Sequence, residues 1–296
     1  MKDYLVKALA FEDTVRIYAI QSTEMVKEAA RRQKTWRTVT AALGRALTAG
    51  TMMGAMLKGD EKLTIKIEGN GAACPIIVDA KANGTARGYV TQPHLDPERK
   101  SNGKLDVSAV VGTEGSLSVV KDLGMKEHFT GSVPLVSGEL GEDFTYYFAT
   151  SEQTPSSVAL GVIIGQGEEV EAAGGFIIQM MPGVKSETVD LLEQKLSQMP
   201  PISSLIQQGK TPEQIIGLLT EENNHRIMEK MTTLFECHCS KERIANAIVG
   251  LGEQDITDMI EEDGGAETTC HFCNEIYTFS REELQKLLEE KRSEDS

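Results

Sequence analysis

Four of the five cysteines in this 296-residue chain fall in its last quarter, and their spacing is that of metal or redox chemistry. Cys237 and Cys239 form a C-x-C pair, Cys270 and Cys273 form a C-x-x-C pair, and residues 240–269 lie between them. Four thiolates suit Zn²⁺, which takes tetrahedral sulfur ligation at about 2.3 Å. Ligands this soft argue against Mg²⁺ or Ca²⁺, which prefer oxygen. His238 and His271 stand beside the cysteines as possible substitutes, although four sulfurs already complete a shell. A closed four-cysteine site is structural rather than catalytic, because catalytic zinc keeps an open position. The expected cofactor is therefore one Zn²⁺ held by Cys237, Cys239, Cys270 and Cys273, with metal-free redox dithiols as the alternative.

The C-x-C pair is the unusual half. Cysteines one residue apart can close on each other only in a small, strained ring, and strain makes a disulfide easier to reduce. In a reducing compartment the zinc-thiolate form should prevail. An oxidant attacking a thiolate would remove a ligand, and metal loss would unfold whatever the metal held. On spacing alone, this switch and a permanently structural knuckle both remain open. Cys74, before Pro75 in an apolar strand, is expected to be a buried hydrophobe.

Around the cysteines the local signals are specific. Ser240 can cap a helix over Lys241–Val249, and a second helix fits Glu253–Glu262. Gly264–Gly265 turn the chain, Tyr277, Thr278 and Phe279 suit a short hairpin, and Ser280 with Glu283 forms a capping box for Arg281–Lys291. Charge is concentrated here: from Met231 to Ser296, 6 Lys and Arg stand against 16 Asp and Glu, a net of −10, within a chain total of −15. Such a field repels phosphate backbones and argues against a nucleic-acid module.

Upstream, residues from Asp3 to about Met181 read as one α+β domain. Strands are expected at Tyr4–Ala8, Val15–Ile20, Leu63–Glu68, Pro75–Ala80, Gly88–Gln92, Ser116–Lys121, Gly131–Val136, Ser157–Ile164 and Val170–Met181. Helix is expected over Glu24–Leu57, broken near Lys34–Trp36, and over Glu142–Ser151. Asn83–Gly84, Asn102–Gly103 and the Gly69-Asn70-Gly71 run read as turns. After Pro182–Gly183, Val184 to about Lys230 is expected to be wholly helical, with Thr211, Pro212 and Gln214 as a helix start and a polar run at Glu221–His225. Helices this modestly apolar would depend on docking. Met52, Met53, Met56, Met180 and Met181 are expected in the core, and Glu142, Asp143 and Glu261–Asp263 on solvated helix faces. No G-x-S-x-G signature appears, and the opening MKDYLVKALA carries charges inside any would-be apolar run, so no signal peptide is expected. The most apolar long window, Ala41–Leu57, contains Arg45 and is too short to span a bilayer. The expectation is a cytosolic protein acting on neither membrane nor nucleic acid.

The C-x-C…C-x-x-C arrangement closing an acidic chain, together with SGELGEDFTYYFATSEQTPS (Ser137–Ser156) and GGFIIQMMPG (Gly174–Gly183), resembles the 33 kDa redox-regulated heat-shock chaperone family, the bacterial zinc holdases. The resemblance covers essentially the whole chain. It implies an α+β fold: an N-terminal helix-and-sheet domain over 1–182, a helical linker over 183–230, and a small four-cysteine zinc domain over 231–296. It further implies an ATP-independent holdase rather than an enzyme, active in the stress response and silent while reduced and zinc-bound. Oxidation would pair Cys237 with Cys239 and Cys270 with Cys273, release zinc, disorder the linker, and expose apolar surface to unfolding client proteins. Activated members form homodimers. A thiol oxidoreductase is the enzyme alternative, distinguished by catalytic turnover of disulfides.

Overall fold

A computed structural model describes residues 2–220 and 224–294 of the chain. Its contacts define two compact units, Met1–Glu236 and Cys237–Ser296. The first begins with a hairpin of β1 (Tyr4–Ala10) and β2 (Val15–Gln21), followed by α1 (Thr23–Gln33) and α2 (Arg37–Gly54). The break expected near Lys34–Trp36 is real: Lys34 adopts φ +53°, left-handed, and ends α1. Next come β3 (Lys62–Gly69), β4 (Ile76–Lys81), β5 (Thr85–Val90), α3 (Val107–Val111), β6 (Gly115–Asp122), β7 (Phe129–Pro134) and α4 (Gly141–Thr150). The unit closes with β8 (Ser156–Ile164), β9 (Val170–Met180), α5 (Ser186–Gln198), α6 (Ile202–Gln207), α7 (Pro212–Leu219), β10 (His225–Thr232) and β11 (Leu234–Phe235).

These strands form two sheets. One is antiparallel throughout, in the order β10-β1-β2-β9-β8; the other runs β11-β5-β4-β3-β6-β7, with only the β11–β5 pair parallel. Helix α2 packs against β4 and β5 of one sheet and β8 and β9 of the other. Its small residues permit this: Gly50 leaves a Cβ position only 2.7 Å from Val78 Cγ1, so nothing larger fits. Apart from Arg45, which is only partly exposed, every residue from Thr38 to Gly54 is buried.

The first sheet is apolar on its other face too. Val6, Ala8, Ile17, Phe176 and Ile178 form one core with Leu192 of α5, Ile202, Leu205 and Ile206 of α6, and Ile215, Ile216 and Leu219 of α7. The helices after Pro182 are thus a lid on an apolar sheet face. Thr211 caps α7, accepting from the Gln214 amide at 3.3 Å, while the Gln214 side chain accepts from the Thr211 amide at 3.0 Å.

Several expectations need correction. The stretch Val184–Lys230 is not wholly helical: its end is β10, antiparallel to β1 from Tyr4↔Thr232 to Ala10↔His225. An open strand edge offers main-chain partners that a short polar helix lacks. Of the polar run Glu221–His225, residues 221–223 lie outside the described residues. Val107–Val111, to which the sequence reading assigns no element, is helix despite its β-branched residues, because Asp106 caps it by accepting from the Ala109 amide at 3.2 Å. Asp143 is not on a solvated face. It is fully buried, accepting from the amides of Val136 and Leu140 at 2.8 Å and of Ser137 at 3.0 Å. It organises the turn in which Leu140 takes φ +69°. Met52 and Met53 are core residues, whereas Met56, Met180 and Met181 are only half-buried. Asn70 makes its turn by accepting from the Thr113 amide at 3.1 Å. No described helix is long and apolar enough to cross a membrane.

Candidate metal centre

The second unit contains α8 (Lys241–Val249), α9 (Glu253–Asp258), β12 (Gly265–Thr269), β13 (Ile276–Ser280) and α10 (Arg281–Glu294). The expected second helix reaches only Asp258 as α-helix and continues as a π-helical turn, Met259–Asp263, ended by Gly264 at φ +70°. The core is small: Ile248, Ile256, Ile260, Phe279, Leu284 and Leu288, with Tyr277 among the half-buried residues packed against it. A unit below about 70 residues seldom stays folded on such a core without a metal or disulfide staple.

Two arms carry the cysteines. The first, 237–239, is irregular backbone leading into α8. Ser240 caps that helix by accepting from the Arg243 amide at 3.2 Å, and the Arg243 guanidinium donates at 3.0 Å to the carbonyl of His238, between the two cysteines. The second arm is the turn joining β12 to β13. The Cys270 amide donates to the Glu275 carbonyl at 2.9 Å, and the Asn274 amide to the Cys270 carbonyl at 2.8 Å. Asn274 takes φ +57°, a conformation its short polar side chain tolerates. β12 and β13 pair antiparallel, with Thr268 opposite Tyr277, and so fix where this arm points.

The fold brings the four sulfurs of Cys237, Cys239, Cys270 and Cys273 within 4.8 Å of one another. Cys237 Sγ is 3.7 Å from Cys270 Sγ, and Cys239 Sγ is 3.3 Å from Cys273 Sγ. A disulfide would need about 2.05 Å, and the cysteines are free thiols. A tetrahedron with zinc–sulfur bonds of about 2.3 Å has edges of about 3.8 Å, so the donor set fits such an ion. His238 and His271 do not belong to the cluster, which among the described residues is purely sulfur.

The electrostatics point the same way. Burial works against ionising Cys237, yet the Cys239 amide and the neighbouring thiols bring it down to about 7. Burial pushes the Cys270 thiol up, and for Cys273 the neighbouring thiols add to that rise. Four sulfurs in one place cannot all be thiolates unless a cation offsets their charge. Cys270 and Cys273 are buried, while Cys237 and Cys239 are partly exposed.

Tyr277 was not singled out from the sequence beyond its place in a hairpin, yet its hydroxyl donates to Cys239 Sγ at 3.1 Å. Cys74, expected to be a buried hydrophobe, is half-buried just before β4, and its thiol donates to the Val111 carbonyl at 3.3 Å. Burial raises its pKa, as suits an unreactive thiol.

A family model described as Hsp33 protein matches residues 3–280. The chain is 61% identical over 290 residues to a 33 kDa chaperonin of Halalkalibacterium halodurans, covering 98% of this chain and 100% of that protein. It is 56% identical to a 33 kDa chaperonin of Bacillus cereus, covering 98% and 99%. Among solved structures, the 33 kDa chaperonin of Thermotoga maritima, a heat shock protein 33 homologue, superposes with a TM-score of 0.91 at 34% identity, covering 99% of this chain and 100% of that one.

Proposed function

We propose that this chain, which belongs to the Hsp33 protein family, is a redox-regulated, ATP-independent holdase of the cytoplasm, inactive while its thiols are reduced and zinc-bound. The observation that carries the reading is the convergence of the sulfurs of Cys237, Cys239, Cys270 and Cys273 within 4.8 Å, in a unit whose buried core is small. When bound by these four residues, Zn²⁺ would supply on the order of 10 kcal/mol of binding energy that ties the two arms together.

The switch follows from what the thiolates do with a peroxide. One thiolate attacks it: an S–O bond forms, the O–O bond breaks, and hydroxide leaves. The sulfenic acid so formed condenses with the neighbouring thiolate, forming S–S and releasing a second hydroxide. Each peroxide accepts two electrons, so two are consumed in pairing Cys237 with Cys239 and Cys270 with Cys273. Those disulfides join residues within an arm and none between arms, so the unit loses its tie.

On this reading residues 1–182 form the stable domain, 183–230 the linker that is released, and 231–296 the switch. The linker helices α5–α7 cover the apolar face of the first sheet. Their release would expose that face, and an exposed apolar patch of this kind is how a holdase captures clients. The active form is a homodimer, its partners are unfolding proteins, and its oxidation is stoichiometric, not an enzyme's turnover.

The test couples two readouts in one sample. Reduced, zinc-loaded protein is treated with peroxide at mild heat, zinc is followed with a chromogenic chelator, and aggregation of an unfolding client is followed by light scattering. Zinc release and suppression of aggregation should rise together and reverse with a thiol reductant. Zinc that stays bound, or leaves without protecting the client, would refute the switch.

A further inference from the structure

The two cysteine arms are held in different ways. The second is closed by its own backbone bonds, from the Cys270 amide to Glu275 and from the Asn274 amide to Cys270. In the first, the Cys239 amide bonds to the Cys237 thiol and the Arg243 guanidinium holds the His238 carbonyl, and both of these bonds go to groups other than the Cys239 sulfur. Besides the cysteines of the second arm, Tyr277 reaches a sulfur of the first. Its ring packs against the core of Ile248, Phe279 and Leu284, and its hydroxyl extends to Cys239 Sγ at 3.1 Å. One side chain, on the strand leaving the second arm, thus connects the folded core to a sulfur of the first.

We infer that Tyr277 is a positioning residue for Cys239: it orients that sulfur for the metal and damps its reactivity by donating a hydrogen bond. The inference rests on the four-sulfur metal reading above. A neutral thiol is a weak acceptor, whereas a thiolate accepts strongly, so this O–H···S bond is worth most when Cys239 is a ligand. Donation withdraws electron density from the sulfur lone pairs and lowers their nucleophilicity. Groups that hold a ligand from outside the coordination shell typically change metal affinity by about 10–100-fold. A phenylalanine would keep the ring packing and remove only the donor, which separates this role from that of a core residue.

The experiment uses the whole reduced chain with Co²⁺ as probe, comparing wild type, Tyr277→Phe and the control Thr278→Ala, an exposed neighbour on the same strand. Wild type and control should show the bands of tetrahedral thiolate ligation. Tyr277→Phe should show them with the sulfur-to-cobalt charge-transfer band displaced, with roughly tenfold weaker Co²⁺ binding. In the metal-loaded form, mass-spectrometric mapping should find Cys239 alkylated several-fold faster than in wild type, with the other three thiols unchanged. A Tyr277→Phe protein matching wild type in band, affinity and Cys239 alkylation would overturn the role of Tyr277 while leaving the metal site standing. Failure of wild type itself to give thiolate bands would remove the metal reading, and the inference with it.

Discussion

Cys239 and Cys273, 34 positions apart in the chain, bring their sulfurs to 3.3 Å. A second close approach, Cys237 to Cys270 at 3.7 Å, also runs between arms. Cysteines far apart in sequence are thus close partners in the reduced fold. A metal uses the contacts between arms, whereas local disulfides would abandon them, and that difference is the physical content of the proposed switch.

Chelation should unfold one unit and spare the other. Removing metal from the reduced protein is expected to make amides of α8–α10 exchange rapidly, while amides of α2 and β9, in the large core of the first unit, stay protected. Hydrogen exchange followed by mass spectrometry resolves the two. Equal protection of α8–α10 with and without metal would show that the small core of Ile256, Phe279 and Leu284 suffices.

Replacing a ligand should cost more than replacing its supporter. Cys237→Ser is expected to weaken zinc by more than about 100-fold, beyond the usual range for residues outside the coordination shell. Competition against a chromogenic chelator measures this. The variant should also suppress client aggregation without oxidant, since its arms are already loosened.

The lid on the sheet can be opened without touching a cysteine. Ile216 is fully buried in the core that α7 shares with β1, β2 and β9. Ile216→Asp would place a charge there at a cost of several kcal/mol and should release α7. Reduced, zinc-loaded Ile216→Asp should bind a hydrophobic dye as strongly as oxidised wild type. Dye binding unchanged from reduced wild type would separate lid from switch.

Asp143 offers a test of structure against catalysis. Its carboxylate accepts from the amides of Val136, Ser137 and Leu140, all at 3.0 Å or less. Asp143→Ala leaves those donors without their acceptor, the buried Leu140 amide at a cost of about 1–3 kcal/mol, so the first unit should melt several degrees lower. Calorimetry reads this directly. A variant with unchanged melting would contradict the structural role.

The pH dependence of the first unit should carry the signature of Asp3. This carboxyl is buried, accepts from the Met25 amide at 2.7 Å, and leaves Oδ1 without a partner. Burial outweighs the Met25 and Glu24 amides and raises its pKa to about 6. A raised folded-state pKa stabilises fully below the unfolded value of about 4, and that contribution is lost as pH rises through about 6. Asp3→Asn keeps an acceptor for Met25 and carries no charge. It should therefore be more stable than wild type at pH 7, by about 3 kcal/mol at most, with the gain vanishing toward pH 4. Urea unfolding across that range checks it; a gain that persists at pH 4 would rule out the carboxyl as its source.

Much of this was legible in the chain. The caps at Ser240, Ser280 and Thr211, the break at Lys34 and most strands follow from local stereochemistry, so sequence places them to within about three residues. The chemistry of the cysteine quartet was legible for the same reason, since thiol softness and pair spacing are properties of the covalent chain. Three features were not. β10 is a strand because β1 presents an open edge far away in sequence, and no local pattern announces a distant partner. Asp143 is buried because the turn just before it, residues 136–140, folds its amides onto the carboxylate, a geometry that residue type does not announce. Tyr277 meets Cys239 because β13 and the first arm converge across 38 positions. Sequence by itself determined which ligands exist and where most helices and strands fall, because these depend on neighbours a few residues apart. Tertiary structure alone decided which sulfurs face one another and which hydroxyl reaches them, because those distances are set by how the core packs.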